Sequence, residues 1–191
     1  MTLKVYLIDR DPEMVKAWSD VFEGYPNVKI IHGDYFSIKT EAIVSPANSF
    51  GIMDGGLDKL IRDVVGWETE QTLQRQILSS YFGELPVGEA LMLHTETGEY
   101  NQMISAPTMR IPENVHNTLN AYLAFRAVLR VLKFSGVQSV TVPGMCTGIG
   151  GMSPRKSAGQ MKCAYDMMNQ SARVPSYDSI HKMHKSMQTI I

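Results

Sequence analysis

Residues 42–61 read AIVSPANSFGIMDGGLDKLI, and this stretch decides the fold. Residues 42–45 form a short apolar run of the kind that makes a strand covered on both faces. A Pro-Ala-Asn turn ends it, a glycine-rich loop follows, and an amphipathic helix then carries Leu57, Leu60, Ile61, Val64 and Val65 as its apolar stripe. Strand, loop and helix in that order place backbone amides and one carboxylate, Asp58, at the mouth of a sheet, where α/β proteins bind phosphorylated ligands. A second glycine-rich turn, PGMCTGIGGMSP at 143–154, follows the same logic near the other end of the chain. Two such loops predict a diphosphate held from both sides.

Working outward, strands are expected at 3–8, 28–31, 90–93, 100–106 and 139–142, besides 42–45. Helices are expected at 12–22, 57–65, 68–79, 113–134 and 153–169. The helix at 12–22 carries Met14, Val15, Trp18, Val21 and Phe22 on one face. The helix at 113–134 is expected to be the longest, with Leu119, Tyr122, Leu123, Arg126, Ala127, Arg130 and Val131 on one face and its edges. Ser153 is spaced to cap the last of these helices, with Pro154 at its first position. Alternating strands and helices predict a three-layer α/β/α domain. Residues after Ser171, with Arg173, His181, Lys182, His184 and Lys185, read as an added helix or a loosely held tail.

A chain of 191 residues with 44% hydrophobic and 19% charged residues is long enough for one domain with a sizeable core. The net charge is −1, so there is no general polyanion field for nucleic acid or an anionic membrane, and oriented amides must do much of the work for an anionic ligand. Cys146 and Cys163 offer neither a disulfide framework nor a CxxC metal signature, which points to a reducing, cytoplasmic setting. The opening MTLKVYLIDRDP is an apolar run broken by charge and reads as a first strand, not a secretory signal.

Four landmarks stand in order: Gly33-Asp34 after a strand, Ala47-Asn48, Gly55-Gly56-Leu57-Asp58 at a helix start, and Thr147-Gly148-Ile149-Gly150-Gly151. On these the chain resembles the macrodomain family, the ADP-ribose-binding module, over roughly residues 28–170. The resemblance implies a three-layer fold with a mixed, mostly parallel central sheet, a macrodomain at 1–170, and an extension at 171–191. It implies that Asp34, beside Gly33 and Tyr35, receives the adenine amine. The 147–151 loop, with Pro143 before it, cradles the diphosphate opposite Ala47, Gly55, Gly56 and Leu57. Asn48 contacts the distal ribose, and Asp58, ten residues further on, positions or activates a water at the anomeric carbon. The plainer reading of Asp58 stays open: a carboxylate in the first turn of a helix is favourable without any chemistry. Aromatic residues that could cover adenine are Tyr35, Phe36 and Tyr177.

The departures from the family pattern are specific. Ser45 stands where hydrolytic relatives usually carry an asparagine, and Gly150 where an aromatic residue commonly packs on the distal ribose. A wider distal pocket is therefore expected. Arg62, one turn after Asp58, is expected to hold Asp58 ionised or to occupy it in an ion pair. Asp54, in the loop, is expected to face solvent.

Other signals fall away. GIGG is not GxGxxG, and no GK[ST] follows either glycine loop, so neither a dehydrogenase nor a P-loop hydrolase is expected. His181 and His184 lack a third ligand, His94 and His116 read as surface or edge residues, and Cys146 reads as packing more than as a nucleophile. Met92, Met103, Met161 and Met167 read as core filling. No cofactor and no metal are called for. The function implied is ADP-ribose binding with hydrolysis of an ADP-ribosyl linkage: an ester on an acidic side chain, O-acetyl-ADP-ribose, or a phosphorylated ADP-ribose. The alternative is a non-catalytic reader or sequestering protein. The partner is ADP-ribose or an ADP-ribosylated macromolecule, with no membrane and no general nucleic-acid binding.

Overall fold

Alternation within the strands decides which helices cover which face. The computed structural model describes residues 3–169 and 174–190. Strands β1 (Lys4–Asp9), β2 (Val28–His32), β3 (Ala42–Ser45), β4 (Leu91–His94), β5 (Gln102–Ser105) and β6 (Ser139–Val142) form one sheet in the order β2-β1-β6-β3-β5-β4. Every pairing is parallel except the antiparallel β4–β5 pair at one edge. The helices are α1 (Pro12–Val21), α2 (Gly56–Val65), α3 (Trp67–Tyr81), α4 (Asn120–Ser135), α5 (Pro154–Asn169) and α6 (Tyr177–Thr189).

Val5, Leu7, Ala42, Val44, Ile104, Val140 and Val142 point to one side, into a core shared with α1, α4 and α5. Ile8, Ile43 and Met103 point to the other, against Ile61 and Val65 of α2 and Leu73 and Ile77 of α3. A strand buried on both faces must be apolar at successive positions, and this is why β3 reads as an unbroken run. On the first side Trp18 is fully buried and its Nε1 donates to Met161 Sδ at 3.4 Å, joining α1 to α5.

The parallel register aligns the C-terminal ends of the strands. Asp9 pairs with His32, Leu7 with Val142, and Ser45 with Ser105. Every loop leaving those ends emerges at the same edge of the sheet, as open α/β sheets require for a binding crevice.

The expected helix at 113–134 is shorter: α4 starts at Asn120 and matches α5 at 16 residues. Asn114 Oδ1 takes the His116 amide at 3.0 Å, Thr118 Oγ1 donates to Val115 O, and the Val115 amide reaches Gly150 O at 2.8 Å. Short polar side chains thus divert the backbone from helix, and the segment is recruited to the glycine loop. The buried face of α4 is Ala121, Ala124, Phe125, Ala127, Val128, Leu129 and Leu132. Arg126 and Arg130 are exposed, and Tyr122, Leu123 and Val131 are only partly buried. The expected face is therefore rotated.

Leu60 also leaves its expected stripe and is 49% exposed, whereas Ile61 and Val65 are buried. Met103 and Met161 are in the core as expected, while Met92 and Met167 are partly buried. Ser153 Oγ accepts the Lys156 amide at 3.3 Å, the expected cap of α5. The segment after 173 includes a helix, α6, whose Met187 is buried. Ile190 beyond it covers Gly159 of α5, where a larger residue would collide. Arg173, counted with the basic tail, lies outside the described residues. Among the described residues no helix is long and apolar enough to cross a membrane.

Candidate functional site

A cleft of about 520 Å³ opens where the loops after β1, β2, β3, β5 and β6 converge, a volume typical of small-molecule sites. Asp34, Tyr35, Ala47, Asn48, Gly55, Gly56, Leu57, Asp58, Pro143, Thr147, Gly148, Ile149 and Gly150 all line it. The two glycine-rich loops thus face one space. Gly33 and Gly151 do not line it. The Gly33 amide donates to Asp9 O at 2.9 Å, and the Gly151 amide closes the loop onto Gly148 O at 3.0 Å with φ +62°. Both shape the walls from behind.

Helix α2 opens onto the cleft without a side-chain cap, in contrast to α1, α5 and α6, which use Asp11, Ser153 and Ser176. Its first hydrogen-bonded amide is Lys59, which leaves the amides of Gly56, Leu57 and Asp58 without an acceptor among the described residues. In the facing loop the amides of Thr147, Gly148, Ile149 and Gly150 likewise have no acceptor among the described residues. Unpaired first-turn amides together with the positive end of a helix dipole form a ready anion site. They are needed here: the side chains lining the cleft include the carboxylates of Asp9, Asp34, Asp54 and Asp58 against the single guanidinium of Arg10. Oriented dipoles must therefore hold any bound polyanion.

Asp58 lies in the wall. Its Oδ1 accepts the hydroxyl hydrogen of Ser45, which is buried at the end of β3. Burial chiefly, then the charges of Glu70 and Asp54, push its carboxyl up to about 6, and the Ser45 hydrogen bond opposes the rise. The expected coupling to Arg62 is absent. Arg62 instead lies 3.7 Å from Glu70, 3.3 Å from Asp63, and with its guanidinium carbon 4.4 Å from the centre of the Trp67 ring. A buried carboxylate and an aromatic face on α3 outcompete Asp58 for the cation. Asp54 is exposed as expected, yet it is on the rim of the cleft.

Asn48 serves its own loop. Its Oδ1 accepts the amides of Phe50 at 3.0 Å and Ile52 at 3.3 Å, and its Nδ2 donates to Ile52 O at 2.7 Å. Helix α3 holds the next residues: Glu70 Oε1 accepts the Met53 amide at 2.8 Å and Gln74 Nε2 donates to Gly51 O at 3.1 Å. The 48–53 loop is thereby set before any ligand arrives.

At the opposite end Asp34 pairs with Arg10 and accepts the Phe36 amide at 2.8 Å. That amide first, and the guanidinium second, hold its carboxyl below the usual range. Tyr35 is buried, and its hydroxyl donates to Val44 O at 2.6 Å and Thr141 O at 3.0 Å. It ties the 33–36 turn to the sheet, which leaves Phe36 as the half-exposed ring beside Asp34. Tyr177 lies in α6, stacked on His181, and does not line the cleft.

Two further expectations concern the 143–151 loop. A side chain at Gly150 would point at the Cys146 carbonyl and Val115, not into the cleft. The glycine is thus a packing requirement, not merely a missing ring. Cys146 is buried in a left-handed conformation (φ +66°), and burial pushes its thiol up to about 12, consistent with packing. His94 and His116 are exposed, as expected.

The sequence reading missed Asp9, Arg10, Gly144, Thr108 and Met109, all of which line the cleft. Asp9 joins two walls, accepting the Asp11 amide at 2.9 Å and the Gly144 amide at 3.3 Å. The available signal was positional: Asp9 ends β1, and Arg10, Thr108, Met109 and Gly144 lie within four residues of the ends of β1, β5 and β6. Among the described residues no group of three His, Cys, Asp or Glu side chains is placed to hold a metal ion.

Residues 44–161 match the family model described as Macro domain. The chain is 32% identical over 136 residues to an uncharacterized protein of Aeropyrum pernix, covering 71% of this chain and 69% of that one. It is 26% identical over 132 residues to "O-acetyl-ADP-ribose deacetylase 2" of Pantoea vagans, covering 69% and 76%. A mutant of the Oceanobacillus iheyensis macrodomain, solved with ADPR, superposes with a TM-score of 0.62 at 18% identity, covering 81% of this chain and 88% of that one.

Proposed function

This chain belongs to the Macro domain family, and from that premise we propose that it binds ADP-ribose and hydrolyses an ADP-ribosyl linkage. The substrate class is an ester of the distal ribose: an ADP-ribosylated acidic side chain, O-acetyl-ADP-ribose, or ADP-ribose phosphate. The observation that carries the reading is Asp58, a carboxylate pushed up to about 6 in the wall of a cleft whose flanking loops offer unpaired amides.

In this reading the diphosphate lies between the α2 N-terminus and the 147–150 amides, and the base lies beside Asp34 and Phe36. For the acidic side-chain ester, a water oxygen bonds to the anomeric carbon as its proton passes to Asp58. The bond from that carbon to the carboxylate oxygen breaks with its electron pair on the leaving carboxylate, and Asp58 returns the proton to solvent. A base with a conjugate acid near 6 is matched to this work near neutral pH. Residues 1–170 form the macrodomain and 171–191 an extension, and two free cysteines fit a cytoplasmic setting. The relative named as a deacetylase supports the ester class.

One observation favours the second reading, a non-catalytic reader: the Asn48 amide is spent on its own loop. A mono-ADP-ribosylated glutamate peptide, incubated with purified protein and followed by chromatography of released ADP-ribose, separates the two. Turnover that Asp58→Ala abolishes, with ADP-ribose affinity kept within a few fold, supports the hydrolase. Binding without turnover on this peptide, O-acetyl-ADP-ribose and ADP-ribose phosphate supports the reader. No calorimetric heat with millimolar ADP-ribose removes both.

A further inference from the structure

We propose that Ser45 and Glu70 are positioning residues for the reaction at Asp58, the hydroxyl of one steadying its carboxylate from the sheet and the other, buried on α3 where it holds Arg62 one turn after Asp58, setting the charge on that side. The inference deepens the hydrolase reading and rests on it for its catalytic consequence.

Ser45 is the last residue of β3, and its side chain shares a strand face with Ile43, the face that α2 and α3 cover. The residue is buried and does not line the cleft itself. Its hydroxyl donates to Asp58 Oδ1 instead, and among the described residues Oδ2 has no hydrogen-bond partner although Asp58 lines the cleft. One oxygen is thus anchored to an interior strand of the sheet, and the other is left for a water.

Glu70 supplies the opposing influence. It is 3% exposed, and its Oε1 is engaged by the Met53 amide and by Gln74, while Oε2 has no hydrogen bond. The nearby cation is Arg62, whose Nε is also unpartnered and whose guanidinium is held by Glu70, Asp63 and the Trp67 ring. The charged groups acting on Asp58 are therefore Glu70 from α3 and Asp54 from the loop, both negative, while the sheet contributes only the neutral hydroxyl of Ser45. Each of the two carboxylates favours the protonated form of Asp58, and the hydroxyl favours the ionised form. Burial raises the Asp58 carboxyl most, the two carboxylates add to that rise, and the Ser45 hydroxyl opposes it.

The two residues therefore predict shifts of opposite sign, which loss of packing alone would not produce. The Asp58 carboxyl is followed by carbon NMR across pH 4–9 in Ser45→Ala, Ser45→Thr and Glu70→Gln, without substrate. Ser45→Ala is expected to raise the midpoint and Glu70→Gln to lower it, each by about half to one pH unit, with Ser45→Thr close to the parent. Glutamine keeps an acceptor for the Met53 amide. Should that variant not fold, the exposed Asp54→Asn carries the same expected sign. The acid limb of the kcat–pH profile, measured on the glutamate-linked peptide, is expected to move with the midpoint in each variant. Unchanged midpoints, or shifts in one common direction, overturn the inference even if the parent turns over. Opposite shifts in a protein without turnover leave the arrangement around Asp58 intact and remove the hydrolase reading instead.

Discussion

The backbone of Cys146 closes against Gly150: a Cβ at Gly150 would stand 2.5 Å from the Cys146 carbonyl oxygen and 2.9 Å from Val115 Cγ2. The same carbonyl accepts the Met152 amide at 3.0 Å, so it cannot move without opening the loop. Gly150→Ala is expected to destabilise the protein by about 1–3 kcal/mol, the usual result of overpacking, and to weaken ADP-ribose binding in step. Thermal melting with and without ligand checks this. A tolerated alanine would restore the view of Gly150 as a residue that simply widens the distal pocket.

Asp58 sets a dependence of stability on pH. Its carboxyl is raised from 3.8 to about 6, so between those values the folded state binds more proton than the unfolded one. Stability then falls as pH rises through that window and stays lowered above it. Asp58→Asn, which still offers an oxygen to Ser45, is expected to be more stable than the parent above pH 6 by about 1–2 kcal/mol after allowance for solvent screening. The two should converge below pH 4, and the variant should lose turnover. Urea denaturation at pH 4 and pH 8 decides it; a variant less stable at pH 8 would contradict the raised carboxyl.

Asn48 makes three hydrogen bonds within its own loop. Asn48→Ala is expected to cost about 1–3 kcal/mol of stability and to accelerate hydrogen exchange at the amides of Phe50 and Ile52 before any ligand is added. A residue that contacted only ribose would leave that exchange unchanged.

Asp34 tests the base end of the cleft. Asp34→Ala removes the acceptor that Arg10 and the Phe36 amide now share. It is expected to weaken ADP-ribose on the order of tenfold, about one hydrogen bond to a charged group. Ribose 5-phosphate, which carries no base, should lose little. Calorimetry with both ligands decides it, and equal losses would place Asp34 in the structure of the turn alone.

Much of this was legible in the order of residues because local rules govern it. The apolar run of β3 ends at Ser45 as expected, Ser153 caps α5, and both glycine loops follow strands. Periodicity and turn chemistry act over a few residues, so they can be read a few residues at a time. Where local signals competed with distant contacts, the reading failed. Residues 113–119 have a helical pattern, but Val115 is drawn to Gly150, 35 positions away. Arg62 is one turn from Asp58, yet a buried carboxylate and a ring on the next helix claim it.

By itself the sequence determined the layered α/β architecture, the family, and the two loops that carry unpaired amides, since each rests on patterns contiguous in the chain. Only the tertiary structure decided what surrounds Asp58, that Asp9 and Arg10 belong to the cleft, and that Asn48 braces its own loop. The strand order sets β6 between β1 and β3, bringing together side chains that no local spacing relates, and the charge and burial each group meets there follow from that juxtaposition.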